Sequence, residues 1–172
     1  MATVTIRPNS DEYKSDLTLS SGTLAYALID EATLDTGDYV TCAVFGGQLQ
    51  AGWTNTGLSS ETINKVTFYL ISSQTGTKKV GHRTTTFQSW GSATHAGEGV
   101  WSKEFTTNPR TSSAWTVSEL DALICGFFCE DGDNKNTTPV YQFYAVVDYT
   151  AGGSAPSSII NHVMHYRRLI SR

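Results

Sequence analysis

Two cysteines and two histidines toward the end of the chain have residue types that could bind a metal. Cys125 and Cys129 are four residues apart, and His162 and His165 follow in the last segment. Thiolates and imidazoles are the ligands that zinc prefers in proteins. The apolar run that contains both cysteines is typical of a strand, however, and residues four apart on a strand are separated by roughly 13 Å. We therefore predict no metal and no other cofactor.

The third cysteine, Cys42, makes the number of cysteines odd. In a reducing compartment, disulfide frameworks are rare. We expect all three cysteines to be buried free thiols.

Acidic residues cluster in one predicted turn, where carboxylates could bind calcium. The cluster consists of Asp30, Glu31, Asp35 and Asp38, but its spacing departs from that of calcium-binding loops. No sequence pattern of a nucleophile elbow, a phosphate-binding loop, a zinc protease or a dinucleotide-binding site occurs in the chain. We interpret the turn as a solvated charged loop and predict that the protein is not an enzyme.

Four tryptophans could provide flat surfaces for stacking against sugar rings. Trp53 and Trp90 lie in or beside glycine-rich segments, so we take them as a candidate exposed glycan platform. Trp101 lies on a predicted strand with Phe105 four residues later, and Trp115 directly precedes a predicted helix, so both are predicted to be part of the core.

The composition predicts strands and turns to carry these side chains. Charged residues make up only 16% of the 172 residues, and 15 are glycine, while β-branched threonine and valine are frequent and favour strands. The length favours one domain, and the net charge of −4 argues against nucleic acid as a partner. The first residues have neither the basic nor the apolar region of a leader peptide, and no run of 18 apolar residues occurs, so we expect synthesis in a cytoplasm and no membrane partner.

Local patterns predict eight strands and one short helix. Val140–Thr150, with few polar positions on either face, is predicted to be a strand covered on both faces, either in the centre of a sheet or under a neighbouring subunit. The sequence Thr116-Val117-Ser118-Glu119 is a capping box and predicts a helix over Val117–Leu123. The other predicted strands are Thr3–Arg7, Leu24–Ile29, Tyr39–Phe45, Asn64–Ser72, Lys79–Trp90, Val100–Thr106 and Ile124–Cys129.

The pattern changes after Thr150. Residues 151–158 have the composition of a flexible Gly/Ser linker. Residues 159–172 carry three arginines and no acid, a charge of +3, whereas the rest of the chain has nine basic and sixteen acidic residues, a charge of −7. So short a segment cannot bury its apolar side chains alone. We favour docking on another chain over docking on its own domain, through Ile159, Ile160, Val163, Met164, Tyr166, Arg167, Arg168, Leu169 and Ile170.

The segment 105–123, FTTNPRTSSAWTVSELDAL, resembles an element of structural proteins of tailed phages. In those proteins a strand ends in a D/N-P-x-T-G-x-A-W-T turn, and a short helix E-[LV]-[ND]-A-L follows. Residues 24–40 and 140–149 are similar to two further elements of the same proteins. One departure is that Ser112 and Ser113 follow Thr111, where glycine is expected.

The resemblance covers about residues 1–150 and implies an all-β fold, an antiparallel β-sandwich of the jelly-roll or concanavalin-like type. It also implies a bacteriophage virion structural protein, made in the host cytoplasm, whose partners are other virion proteins and copies of itself in a homo-oligomer. We expect a capsid decoration protein that binds the shell through protein–protein contacts. The alternatives are a tail or neck structural protein and, from a different class, a carbohydrate-binding β-sandwich module.

Overall fold

The computed structural model describes residues 1–42, 46–73, 77–97, 99–130 and 138–152. Within these residues the chain forms twelve strands, the helix α1 (Val117–Asp121) and a 3-10 turn at Tyr26–Leu28. None of the described helices is long and apolar enough to cross a membrane. The strands are β1 (Ala2–Ile6), β2 (Pro8–Ser15), β3 (Leu17–Leu19), β4 (Val40–Cys42), β5 (Gln48–Trp53), β6 (Thr62–Ser72), β7 (Thr77–Arg83), β8 (Phe87–Ser92), β9 (Thr94–Gly97), β10 (Val100–Phe105), β11 (Ile124–Glu130) and β12 (Thr138–Thr150).

The described strands form two antiparallel sheets that pack as a sandwich. The seven-stranded sheet has the order β3-β4-β12-β6-β10-β9, with β1 also paired to β12, and the five-stranded sheet has the order β2-β5-β11-β7-β8. Successive strands from β4 to β7 alternate between the sheets, as do β10, β11 and β12. The resulting order, β4-β12-β6-β10 opposite β5-β11-β7-β8, is that of a jelly roll. The predicted β-sandwich is confirmed, and β12 is a central strand as expected.

Alternating apolar residues from both sheets fill the space between them. On β6, Val66, Phe68 and Leu70 have no exposed surface, and Phe127 and Phe143 are equally buried on β11 and β12. The rings of Phe127 and Phe143, which belong to different sheets, are 5.5 Å apart and nearly perpendicular. Period-two alternation thus directs one face of each central strand into a shared core.

The predicted strand Leu24–Ile29 is instead the 3-10 turn. The carboxylate of Asp11 on β2 accepts hydrogen bonds from the backbone N–H groups of Ala25 and Tyr26, both at 2.8 Å. Leu28 and Ile29 are buried, so the apolar residues do reach the core, but from a turn. The prediction was wrong because the side chain that stabilises this turn belongs to a distant strand.

Several strands were missed because their residues are polar or rich in glycine. The edge strands β2 and β8 and the short β9 carry few apolar residues, so alternation does not mark them. The predicted single strand Lys79–Trp90 is in fact β7 and β8, joined by a turn at 84–86. β5 was missed because the sequence after Gly47 was interpreted as a loop. Pairing with neighbours satisfies the backbone of such segments even where their own pattern is weak.

Two of the three cysteines form a disulfide, so the prediction of three free thiols is wrong. Cys42 on β4 is bonded to Cys129 on β11, with Cα atoms 6.4 Å apart. Both side chains point into the sandwich from opposite sheets, and this separation is within the range that a disulfide spans. Cys125 is a buried free thiol, as expected, and burial raises its pKa well above the usual value.

Candidate functional site

The predicted partner-binding arm lies outside the described residues. β12 ends at Thr150, and the description of the chain ends at residue 152. The arm and most of the linker before it therefore remain predictions. The predicted contact residues of the arm are Ile159, Ile160, Val163, Met164, Tyr166, Arg167, Arg168, Leu169 and Ile170.

Trp53, predicted to be part of an exposed glycan platform, is a core residue. Its side chain is 4% exposed, and its indole N–H donates a hydrogen bond to the carbonyl oxygen of Cys125 at 3.3 Å. The ring packs edge-on against Phe68 and Phe143 at 5.5 and 4.9 Å. The prediction was wrong because the glycine beside it, Gly52, is part of strand β5 and not of a loop.

Trp90, the second predicted platform residue, is half-buried at the edge of the core. Its indole N–H donates to Nδ1 of His82 at 2.8 Å, which requires the neutral form of that imidazole. Burial, and then the charge of Arg110, lower the pKa of His82 and favour this form. Because Trp90 also packs against Phe68 and Phe105, it offers less surface to a sugar than a free ring would.

In the segment that resembles the phage element, hydrogen bonds connect the end of β10 to the start of α1. The indole N–H of Trp115 donates to the carbonyl oxygen of Phe105 at 3.2 Å, so the residue before the helix is tied to the end of β10. Thr116 and Glu119 form the predicted capping box, with the backbone N–H of Glu119 donating to Oγ1 of Thr116 and that of Thr116 to Oε2 of Glu119. Leu120 is fully buried below it.

Ser112 occupies the position at which the phage element has glycine. Its φ is +58°, in the left-handed region that glycine adopts most readily. Two hydrogen bonds close the turn. The backbone N–H of Ser112 donates to the carbonyl oxygen of Asn108 at 2.7 Å, and the backbone N–H of Asn108 donates to the carbonyl oxygen of Ser113 at 2.8 Å. The turn therefore has the backbone conformation that glycine favours, although the residue is serine.

A cleft of about 430 Å³ lies between this turn and α1. It is lined by Asn108, Arg110, Thr111, Ser118 and Glu119, with Ala122 and Leu123 at its side. Glu119 is engaged in the capping box, and the amide oxygen of Asn108 accepts the backbone N–H of Arg110 at 2.9 Å. These two groups therefore stabilise the turn and the helix.

The acidic turn holds its carboxylates without bringing three of them together. Burial raises the pKa of Glu31, and the charges of Asp30, Asp38 and Asp35 raise it further. No group of three His, Cys, Asp or Glu side chains in the described part of the chain is placed to hold a metal ion.

The outer face of the seven-stranded sheet carries a pair of stacked tyrosines. Tyr69 on β6 and Tyr144 on β12 are directly opposite each other in the antiparallel register. Their rings are 5.0 Å apart and within 14° of parallel, close to the spacing of adjacent strands. At that distance parallel rings are stacked with an offset and do not lie side by side in one plane, so each ring turns one face toward the other ring and its second face away from it. Both side chains are half-buried.

The two ends of this stack differ. Beyond Tyr144, the guanidinium group of Arg7 lies 5.3 Å from the ring centroid, and its Nη1 donates to the carbonyl oxygen of Glu31. Beyond Tyr69, the opposite residue on β10 is Ser102, and Thr94 on β9 is opposite Ser102. We call these five side chains, Arg7, Tyr144, Tyr69, Ser102 and Thr94, the tyrosine face.

The tyrosine face was not identified from the sequence, although part of its signal was visible. The alternation that marks β6 puts Lys65, Thr67 and Tyr69 on the face opposite the core. The pairing of Tyr69 with Tyr144 depends on the register of two strands far apart in sequence. On the outer face of β12, Tyr144, Val146 and Asp148 are each partly exposed in the single chain, so cover of this face by a neighbouring subunit stays a prediction.

No protein-family model matches the sequence, and no curated protein sequence matches it significantly. Among solved structures, the fold is similar to the C-terminal CBM6 of LamC, a marine laminarinase from Zobellia galactanivorans. The similarity has a TM-score of 0.44 at 12% sequence identity, over 86% of this chain and 100% of that one.

Proposed function

We propose that this chain is a structural protein of a tailed-phage virion, most concretely a capsid decoration protein that binds the shell through protein–protein contacts. The observation that carries the proposal is the segment 105–123, whose residue types and spacing resemble the phage element except at Ser112 and Ser113. Ser112 has a φ of +58° at the position where the phage element has glycine. The capping box predicted from the same segment, between Thr116 and Glu119, is also formed.

The surface composition also supports a role in association. Charged residues are 16% of the chain, and two ion pairs are found among the described residues, Lys14–Asp11 and Lys65–Glu104. A surface of neutral hydroxyl and amide groups suits contacts with other subunits, since interface cores are depleted in charged residues.

The arm provides the contact in this proposal. Its charge of +3 is opposite in sign to that of the rest of the chain, so the arm of one copy is attracted to the domain of another copy or to an acidic shell surface. Oligomers with closed symmetry form readily through such exchanged segments.

A tail or neck protein with the same sandwich is the alternative. The two differ in location on the particle, so labelled-antibody electron microscopy of intact virions separates them. Label on the head supports decoration, and label at the tail or neck supports the alternative.

Adding purified protein to particles that lack it tests the shell-binding role. We expect the full chain to bind at a fixed number of copies per particle. A chain that lacks 159–172 should stay folded but lose most of this binding, because the arm supplies the contact. The matched control carries residues 159–172 in scrambled order, which keeps the charge and the apolar content.

The two parts of the proposal fail separately. If the full chain neither occurs in virions nor binds particles, the virion role is contradicted. If particle binding survives deletion of the arm, only the arm is contradicted. Equal binding by the native and scrambled arms would show that charge and apolar content suffice without a specific sequence.

A further inference from the structure

The stack of planar groups on the tyrosine face ends abruptly on one side. Arg7, Tyr144 and Tyr69 follow one another across β12 and β6 at spacings of about 5 Å. The next strand, β10, presents Ser102 at the corresponding position, and a serine side chain is too short to cover a tyrosine ring. Among the described residues, neither an aromatic ring nor a cation lies against the free face of Tyr69.

We propose that the free face of Tyr69, above Ser102 and Thr94, binds a pyranose ring of a neutral glycan. A pyranose ring has an apolar C–H face that packs on an aromatic ring and a rim of hydroxyl groups that needs hydrogen-bonding partners. The strands next to Tyr69 supply such partners, because the hydroxyl-bearing residues Ser102 on β10 and Thr94 on β9 are partly exposed and exposed, respectively. A flat ligand at this position continues the existing stack at the spacing of the strands.

The charges near the tyrosine face favour a neutral ligand. The nearest ion pair on this face joins Nζ of Lys65 to Oε2 of Glu104 at 2.7 Å, so these two charges cancel. The only cation in the stack, Arg7, lies behind Tyr144, on the side away from the free ring face. A phosphate or sulfate group at the free face would have to compete with Glu104 for the ammonium group of Lys65, which argues against a nucleic acid or a sulfated glycan.

The rigidity of the platform supports binding. Tyr69 is held in place by Tyr144, and Tyr144 by Arg7, whose guanidinium group is fixed through the carbonyl oxygen of Glu31. A ring that is already immobilised loses little conformational entropy when a ligand stacks on it. The inference does not rest on the proposed virion role, because the site is built from the sandwich alone.

The proposal is tested by measuring binding of the full chain to an array of neutral hexose and N-acetylhexosamine oligosaccharides. The strongest binder is then titrated by calorimetry. Tyr69→Ala should weaken binding by about tenfold or more, because it removes the stacking surface. Ser102→Tyr should also weaken binding, since the new ring covers the free face of Tyr69 and the substitution removes the Ser102 hydroxyl group, so that Thr94 alone remains as a hydrogen-bonding partner. The matched control is Tyr141→Ala, at the tyrosine pair with Tyr39 elsewhere in the structure, which should leave binding unchanged.

Ser102→Tyr guards against loss of folding, because it adds a stacking partner instead of removing one. Circular dichroism and thermal unfolding should show that the Ser102→Tyr variant is folded. Absence of binding to every neutral glycan, or binding that Ser102→Tyr leaves intact, overturns the proposal. A preference for sulfated or phosphorylated glycans over neutral ones would also overturn the proposal.

Discussion

Ser112 has a backbone conformation that is typical of glycine, although the residue is serine. Glycine adopts a positive φ without steric cost, whereas a residue with a Cβ atom, such as serine, does not. The resemblance to the phage element departs from its pattern at this residue, whereas the backbone keeps the left-handed conformation, with φ at +58°.

Ser112→Gly should therefore raise the free energy of unfolding. Relief of the left-handed strain is worth roughly 1–2 kcal/mol, and the greater freedom of glycine in the unfolded chain offsets about half of it. We expect a net gain of about 0.5–1 kcal/mol in chemical denaturation. The control is Ser113→Gly, at a neighbouring residue without a positive φ, which should lower stability. If both glycine variants lower it equally, the strain at Ser112 is contradicted.

At the scale of single elements, α1 is too short to be stable without help. It spans five residues, far below the length at which isolated helices form in water. Its capping box and the burial of Leu120 hold it in place. The helix was predicted because both signals are local in sequence.

Thr116→Ala should destabilise the protein by about 1 kcal/mol, the usual cost of removing an N-cap side chain. Thr116→Ser keeps the oxygen that accepts the N–H of Glu119 and should restore most of the stability. Both variants are compared by guanidinium denaturation. If serine and alanine destabilise equally, the methyl group and not the capping hydrogen bond is responsible.

At the scale of the whole molecule, the disulfide joins the two sheets. It links β4 of the seven-stranded sheet to β11 of the five-stranded sheet across 87 residues of sequence. A crosslink that closes so long a loop restricts the unfolded chain strongly. It therefore acts on the stability of the entire sandwich and not on one strand pair.

Replacing both cysteines, Cys42→Ala with Cys129→Ala, should lower the free energy of unfolding by about 2–5 kcal/mol. Dithiothreitol should lower the stability of the unmodified protein in the same way and leave that of the double variant unchanged. Alkylation of the denatured, unreduced protein should label one thiol, that of Cys125. Three labelled thiols and no effect of dithiothreitol would contradict the disulfide.

The sequence by itself determined the all-β class, the central strands β6, β11 and β12, the helix at Val117 and the burial of Trp101 and Trp115. Each of these follows from a local signal, such as alternation or a capping pattern, that one segment carries alone. The edge strand β2 was missed because its polar residues are placed by pairing with β5.

Only the tertiary structure decided the remaining features. The Cys42–Cys129 bond, the burial of Trp53 and the stacking of Tyr69 on Tyr144 all join residues far apart in sequence. Such contacts depend on strand order and register, and a shift of one residue would move a side chain to the opposite face of its sheet. The tyrosine face exists because β6, β10 and β12 are neighbours, and no single segment specifies that arrangement.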